Sequence, residues 1–170
     1  MKIELRPYSP DDQDFIFKLY ASTRLHEIAP FGWDTTQQEV FLRMQFNAQK
    51  RWYDQAYPNA DHQIILLDGQ PAGRIMVMTE PESSHLIEIA LLPELRNHGI
   101  GAKLVGDLVE KSTQAGKIVR LQVLRTNPAI HLYERLGFVK TGEDAMYFQM
   151  ATSNGIPDDP IIRSPDLPII

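Results

Sequence analysis

Apolar and polar positions change their spacing several times along the chain, and each change predicts a new element. Residues 2–8 alternate between apolar and charged side chains, which is the period of a half-buried strand. Residues 9–12 (Ser-Pro-Asp-Asp) then have the composition of a helix start, with a cap residue, an early proline and acids in the first turn. We expect this first helix to bury Phe15 and Leu19 and to end before Pro30.

A second helical pattern follows from Thr36, where Thr36-x-x-Glu39 has the form of a capping box. The pattern predicts a helix to about Tyr57, ended by Pro58. Its buried stripe is predicted to consist of core residues stepping by three or four, namely Phe41, Met44, Ala48 and Trp52. Between the two helices, the apolar and aromatic residues 28–33 either pack on the core or line a substrate site, and the pattern leaves both open.

The middle of the chain has the pattern of consecutive antiparallel strands. Residues 62–67 and 72–79 flank Asp68-Gly69, a favoured two-residue hairpin turn. A turn at Ser83-Ser84 leads into a further strand from His85 to Leu92.

The last part alternates between helix and strand. A helix is predicted after Gly99, with Gly116 as its left-handed C-cap. The remaining predicted elements are a strand over 118–124, a short helix over 129–136 with Asn127 as its cap, and strands over 138–140 and 145–150.

This order of elements predicts a mixed α/β fold in one domain, residues 1–150, with one mixed sheet flanked by helices. Residues 151–170 contain four prolines and little periodicity, so they are not predicted to form a core element. They are expected either to be disordered or to pack on a neighbour through their isoleucines.

Composition narrows the classes of partner. The chain has 170 residues and no cysteine. Its net charge of −5 argues against nucleic acid as a partner. No apolar run approaches the ~18 residues of a membrane span, and the first residues lack the apolar core of a signal peptide. None of the five histidines pairs at metal-ligand spacing. We therefore expect a cytoplasmic protein without metal, membrane or nucleic acid, and a homodimer stays open.

The candidate ligand-binding residues are concentrated after the strand that ends near Pro93. Arg96 follows in a short polar link, and Gly99 and Gly101 begin an amphipathic helix. Unpaired backbone N–H groups and a partial positive charge make a helix start attractive to phosphate, and glycine leaves those donors accessible. The dinucleotide fingerprint lacks its third glycine here, and no Gly-Lys-Ser/Thr of a P-loop is present. A plain helix start, with glycines for tight packing, is the remaining alternative.

Two stretches resemble motifs of the GNAT superfamily of acyl-CoA-dependent N-acetyltransferases. Arg96-x-x-Gly99-x-Gly101-Ala102 is similar to its pyrophosphate loop, and residues 127–138 (Asn-Pro-Ala-Ile-His-Leu-Tyr-Glu-Arg-Leu-Gly-Phe) are similar to a second family motif. The order of elements over residues 1–150 also resembles the family's order. The resemblance implies a central mixed, mostly antiparallel twisted sheet of about seven strands, flanked by about four helices.

The resemblance also implies where acetyl-CoA binds. The pantetheine arm is expected on the free backbone groups of Ala90, Leu91 and Leu92, with a hydrogen bond from Asn127. The pyrophosphate is expected at the loop and helix start, formed by Arg96, Asn97, His98, Gly99, Ile100, Gly101 and Ala102.

Two residues are expected to carry catalysis. The resemblance directs the Tyr133 hydroxyl at the thioester sulfur, where a phenol with a pKa of about 10 donates a proton to the leaving thiolate. Glu88 is the candidate base, in mid-strand on the expected face of Leu86 and Ala90, and a solvated or ion-paired glutamate is the alternative. The resemblance places the acceptor site at the loop between the first two helices and at the final strands, which here supply Glu27, Phe31, Trp33, Asp34 and residues 143–148, and acids beside aromatics suit a cationic amine.

The sequence thus predicts acetyl transfer to a primary amine, of a small molecule or a peptide, by direct attack in a ternary complex. Gln122 weakens the assignment to protein amino termini, because family members with that substrate often carry Glu at this strand position. The alternative is a non-catalytic acyl-CoA-binding module or sensor. A dinucleotide oxidoreductase is disfavoured by the missing third glycine.

Overall fold

The computed structural model describes residues 1–152, and the predicted tail lies outside the described residues except for its first two positions. The strands are β1 (Ile3–Pro7), β2 (Asp61–Leu67), β3 (Gln70–Thr79), β4 (Ser83–Leu91), β5 (Ile118–Leu124), β6 (Phe138–Glu143) and β7 (Tyr147–Thr152). The helices are α1 (Gln13–Ile28), α2 (Thr35–Ala56), α3 (Ile100–Gln114) and α4 (Ala129–Arg135). The predicted fold class and order of elements are confirmed.

All seven strands form one sheet in the order β1-β2-β3-β4-β5-β7-β6, in which β4 and β5 are the parallel pair. Their pairing covers only Ser83–Leu86 of β4 and Ile118–Leu121 of β5. Beyond those residues each strand keeps its partner on the other side, β3 or β7, and the two separate from each other. We call this gap between β4 and β5 the parting.

A β-bulge in β4 lies at the start of the parting. Val77 of β3 pairs with Leu86, but its neighbour Met76 pairs with Glu88, so Ile87 is the extra residue. The bulge resets the alternation of faces. Leu86 packs in the core beneath α3, whereas Glu88 lies on the opposite face, the one that α1 and α2 cover. The expectation that Glu88 shares a face with Leu86 is therefore wrong.

Each face of the sheet has its own core. The α3 face combines strand residues such as Leu86, Val119 and Val123 with Val105 of α3 and Tyr133 of α4. The α1/α2 face has two smaller clusters, one around Phe17 and Phe46 and one around Tyr53, Met76 and Ile87. No helix within residues 1–152 has the length and apolarity that crossing a membrane requires.

The predicted stripe of α2 is displaced by about one position. The residues buried on α2 are Leu42, Phe46, Gln49 and Tyr53, whereas Ala48 and Met44 are exposed. The capping box also differs: the Asp34 carboxylate accepts from the Gln37 backbone N–H at 2.8 Å, and the Gln37 side chain accepts from the Asp34 N–H at 3.1 Å. Because apolar residues are dense around position 42, two stripes fit the helical period. Packing of Phe46 on Phe17 and Tyr20 selects one of them.

Of the last two strands, β6 is longer than predicted, and β7 has the predicted length but begins two residues later, at Tyr147. β6 continues to Glu143 because a register shift between Lys140 and Gly142 interrupts its alternation without ending it. Gly116 ends α3 with φ of +72°, so the predicted left-handed C-cap is confirmed.

Candidate active site at the parting of two strands

The edge of β4 that faces the parting carries backbone groups that pair with none of the seven described strands. Leu92 donates its N–H to Ala72 of β3 at 2.9 Å, and the Ala90 carbonyl also faces β3, beside Gly73. Since successive residues of a strand direct their backbone groups to opposite edges, Ile89 and Leu91 face the parting. Of the three residues predicted to offer free backbone groups, Leu91 therefore does so, and Ile89 joins it. The Leu91 carbonyl accepts from the Arg96 Nε at 3.0 Å.

The start of α3 lies in the loop that follows β4. Residues 96–99 are exposed, and Gly99 is the N-cap with φ of +81°, a conformation that favours glycine. No side chain of the described residues caps this end, so within that part of the chain the first N–H groups of the helix remain free for an anion. A Cβ atom added to Gly101 would lie 3.8 Å from the Leu132 side chain of α4, so this glycine lets α4 pack closely against α3.

Tyr133 lies on α4, on the α3 face of the sheet. Its side chain is only 3% exposed and packs against Phe138, with 5.7 Å between the ring centroids. Within residues 1–152 no hydrogen bond engages its hydroxyl. Burial raises the pKa of Tyr133 to about 12, so the hydroxyl is protonated at neutral pH.

Asn127 precedes α4 and is half-buried. Its side-chain oxygen accepts from the Ala129 N–H at 2.9 Å in a turn that leads into α4, but the N-cap residue of α4 is Pro128 and not Asn127 as predicted. The amide NH2 of the same side chain is not used in that contact. It is therefore available to donate to a ligand.

Glu88 forms a buried ion pair. The carboxylate bonds Arg74 of β3 at 2.5 Å, and the two residues are 2% and 6% exposed. The structure thus contains an ion-paired Glu88, which the sequence had left open as the alternative to a free base. Arg74 could not be anticipated, because its pairing depends on the register of β3 with β4.

The charge of Glu88 acts on two tyrosines of the α1/α2 face, Tyr53 and Tyr20. Burial, and then this negative charge, raise the pKa of Tyr53 well above its usual range, and its buried hydroxyl has no hydrogen-bond partner within residues 1–152. Burial likewise raises the pKa of Tyr20, partly offset by the neighbouring Arg24 guanidinium. The Cζ of Arg74 lies 5.9 Å from the Tyr53 ring centroid, and that of Arg24 lies 5.4 Å from the Tyr20 centroid.

Gln122 lies on β5 where the parting begins. It follows Leu121, the last residue paired with β4, and projects to the face opposite Leu121 and Val123, which is the face of Glu88. Its side chain is buried and the amide nitrogen has no hydrogen-bond partner. A buried polar atom of this kind, beside an unpaired strand edge, is suited to a ligand contact.

The four predicted acceptor residues lie at the end of α1 and the start of α2, where local contacts engage each of them. Glu27 pairs with Arg24 at 3.3 Å, and Asp34 caps α2. The rings of Phe31 and Trp33 pack together, with 5.1 Å between their centroids, and Trp33 packs on Phe41 at the same distance. Within residues 1–152, no hydrogen bond or ion pair joins any of the four to Glu88.

A cavity of about 350 Å³ adjoins the ion pair on the α1/α2 face. Tyr53 and Arg74 belong to its wall, as does His62, whose pKa burial lowers to about 4 and whose Nε2 is buried without a partner. The remaining lining residues are Tyr8, Gln13, Ile16, Phe46, Gln49, Lys50, Asp54, Tyr57, Pro58, Ala60 and Met76. Nowhere in the described chain could a cluster of three His, Asp or Glu side chains hold a metal ion.

Comparison with known proteins agrees with this architecture. The model of the GNAT acetyltransferase family matches residues 23–138, which include β4, the helix start at Gly99, and α4. The chain belongs to the GNAT family of acetyltransferases. No curated protein sequence matched the chain.

Solved structures share the GNAT fold at low sequence identity. The PaiA N-acetyltransferase of Thermoplasma acidophilum, solved with coenzyme A, is 21% identical with a TM-score of 0.67 over 89% of this chain and 99% of its own. PH1933 of Pyrococcus horikoshii is 17% identical with a TM-score of 0.67, over 91% and 100%. An acetyltransferase of Thermus thermophilus is 16% identical with a TM-score of 0.61, over 89% and 96%. Family and fold together support acyl transfer from coenzyme A.

Proposed function

We propose that the chain transfers an acetyl group from acetyl-CoA to a primary amine, by direct attack in a ternary complex. The parting carries this proposal, because β4 and β5 are not paired with each other there and candidate groups lie on both faces of the sheet. The free start of α3 and Tyr133 lie on one face, and Glu88 lies on the other. Coenzyme and amine can therefore approach the same gap from opposite sides.

Acetyl-CoA binds along the α3 face in this proposal. The pyrophosphate lies on the helix start, where Arg96 adds charge and the backbone N–H groups of residues 97–102 supply donors. The pantetheine arm pairs with the free backbone groups of Ile89 and with the N–H of Leu91, whose carbonyl is bound by Arg96, and it accepts from the Asn127 amide. The thioester then reaches the start of the parting, beside Ile87.

Tyr133 acts as the general acid. As the tetrahedral intermediate collapses, the carbon–sulfur bond breaks and the departing thiolate takes the hydroxyl proton. The raised pKa keeps that proton in place at neutral pH, and the absence of a protein partner leaves the hydroxyl free for the sulfur.

Glu88 acts as the base on the opposite face. An alkylammonium must lose one proton before attack, and the amide nitrogen loses a second as the intermediate collapses. One of these protons restores Tyr133, and the other leaves to solvent. Arg74 fixes the orientation of the carboxylate through the buried ion pair.

The Glu88–Arg74 ion pair also favours a second candidate, a non-catalytic acyl-CoA-binding module. A carboxylate engaged by arginine can serve packing and orientation without receiving a proton. The two functions differ in one observable, because a binding module releases no coenzyme A thiol with any amine.

Thermal unfolding with acetyl-CoA, followed by a thiol-release screen over amines, tests the proposal. The enzyme is stabilised by acetyl-CoA and releases thiol with at least one amine. Stabilisation without thiol release across the screen supports the binding module, and the absence of stabilisation contradicts both functions.

A further inference from the structure

Within residues 1–152, two buried polar atoms without a hydrogen-bond partner lie on the α1/α2 face, where the charges of Glu88 and Arg24 both act on Tyr53 and Tyr20. They are the hydroxyl of Tyr53, a residue 6% exposed, and the Nε of Arg24. The Arg74 guanidinium lies over the Tyr53 ring and the Arg24 guanidinium over the Tyr20 ring, which places both cations around this spot. Buried polar atoms are nearly always paired in proteins, so unpaired ones beside a candidate site indicate a missing ligand.

The charges at this spot are unequal. Glu88 is matched by Arg74 within the buried ion pair. Among the described residues 1–152, Arg24 has one ion-pair partner, Glu27, which its Nη1 contacts at 3.3 Å; the glutamate side chain is 49% exposed, so the pair is weak in water. The amine substrate therefore meets a carboxylate that is already ion-paired. It also meets a guanidinium whose buried Nε still lacks a hydrogen-bond partner.

This balance disfavours a polycation. A second ammonium on the acceptor would approach Arg24 or Arg74 and meet a like charge. A carboxylate or carboxamide oxygen, by contrast, accepts from the Arg24 Nε and from the Tyr53 hydroxyl. Asp54, the carboxylate in the lining of the adjoining cavity, is paired with Lys50 at 2.7 Å.

The adjoining cavity gives the size of the acceptor. Its volume of about 350 Å³ is that of a small-molecule site, and it shares the walls formed by Tyr53 and Arg74. Phe46, Tyr57 and Met76 make part of the lining apolar. The cavity therefore accommodates an apolar side chain of the acceptor.

Resting on the acetyltransferase proposed above, we infer that the acceptor is a small amine that also carries a carboxylate or carboxamide oxygen, as amino acids and their amides do, and not a polyamine. The amine faces Glu88, the oxygen lies between Arg24 and Tyr53, and the side chain lies in the cavity. Acetyl transfer to such an acceptor forms an amide bond at its amine and releases coenzyme A thiol.

The experiment measures thiol release with acetyl-CoA and matched acceptors: the apolar and aromatic amino acids, their amides, the amines that lack the carboxyl group, a short peptide, and spermidine. We expect kcat/KM for the preferred amino acid or its amide to exceed that of the matching amine about tenfold or more, with spermidine lowest. A preference for spermidine or for the bare amine overturns the inference and leaves the acetyltransferase standing. A peptide preferred over every free amino acid and amide also overturns it. No thiol release with any acceptor overturns both proposals.

Variants test the two residues directly. Arg24→Gln removes the guanidinium charge and the Nε–H, and Tyr53→Phe removes the hydroxyl, so each should raise KM about tenfold for the amino acid and leave KM for the bare amine unchanged. The exposed Arg51 of α2 gives the matched control, Arg51→Gln, which should change neither. Equal effects of Arg24→Gln on both acceptors overturn the inference. Stabilisation of each variant by acetyl-CoA shows that the fold and the coenzyme site are retained.

Discussion

At the parting, the two faces of the sheet differ in the kind of polar group that they offer to a ligand. On the α3 face, backbone groups dominate: the free N–H groups of a helix start, and the unpaired edge of β4 at Ile89 and Leu91. On the α1/α2 face, side chains dominate, with a buried ion pair surrounded by tyrosine hydroxyls and a second guanidinium. Backbone groups suit a constant ligand such as a coenzyme, whereas side chains can change with the acceptor.

The difference shows where specificity can reside in this chain. Substitutions other than to proline leave the backbone amides of the α3 face in place, provided that the glycine conformation at residue 99 is kept. On the α1/α2 face, one exchange at Arg24, Tyr53 or Gln122 changes the donors presented to the acceptor. Variants on the two faces should therefore have separable effects on coenzyme binding and on turnover.

Glu88→Gln should have the largest effect. Without the base, kcat should fall about a thousandfold while the stabilisation by acetyl-CoA persists, which steady-state kinetics and thermal unfolding measure. Stability should also fall by about 3–5 kcal/mol, because Arg74 keeps a buried charge without its partner. The double variant Glu88→Gln/Arg74→Met removes that charge and is the control. It should regain stability without regaining turnover, and recovery of turnover would show that Glu88 is not the base.

Tyr133→Phe should lower kcat about a hundredfold and leave the affinity for acetyl-CoA unchanged, because it removes the acid and keeps the ring packed on Phe138. Since the pKa of Tyr133 is raised to about 12, the wild-type rate should not decline between pH 7 and pH 10 through titration of this group. A pH–rate profile at saturating acetyl-CoA tests both statements. An alkaline decline near pH 10 that Tyr133→Phe abolishes would contradict the burial of this hydroxyl.

Acidification should destabilise the α1/α2 face in particular. Burial, and then the charge of Arg120, lower the pKa of His85 to about 4, although Glu80 acts in the opposite direction. A lowered folded-state pKa gives stability that is present above the unfolded value of about 6.5 and is lost as pH falls towards 4. The loss from His85 should be about 2 kcal/mol at pH 5, measured by urea unfolding at pH 7 and pH 5. His85→Gln should reduce this pH dependence, and an unchanged dependence would assign the loss to other groups.

Asp34→Ala should have the smallest effect. Because Asp34 caps α2, its loss should cost about 1 kcal/mol of stability and leave KM for the acceptor unchanged. Thr36→Ala is the matched control, since the sequence predicted the cap there, and it should leave stability nearly unchanged. An increase in KM with Asp34→Ala would return this residue to the acceptor site.

The success of prediction from the sequence follows the same division between the faces. The helix start at Gly99 was predictable because glycine positions and flanking periodicity are local properties. The position of Glu88 was not, because one extra residue at Ile87 reverses the face of every following side chain, and only pairing with Met76 and Val77 reveals it. Tyr53 was missed for a related reason, since the density of apolar residues on α2 left its stripe undetermined until α1 packed against it.

Thermal unfolding of the chain and of two glycine variants, with and without acetyl-CoA, tests the coenzyme site most directly. Gly99 and Gly116 lie at opposite ends of α3, both with positive φ and open space around them, so Gly99→Val and Gly116→Val should cost similar stability. At 100 times its Kd, acetyl-CoA should stabilise the wild type and Gly116→Val by about 2.7 kcal/mol, or roughly 5–10 °C in Tm, because it binds only the folded state. Gly99→Val should lose this increase, since its side chain blocks the helix start. No increase in the wild type at millimolar acetyl-CoA, or an equal increase in both variants, would contradict a coenzyme site at the parting.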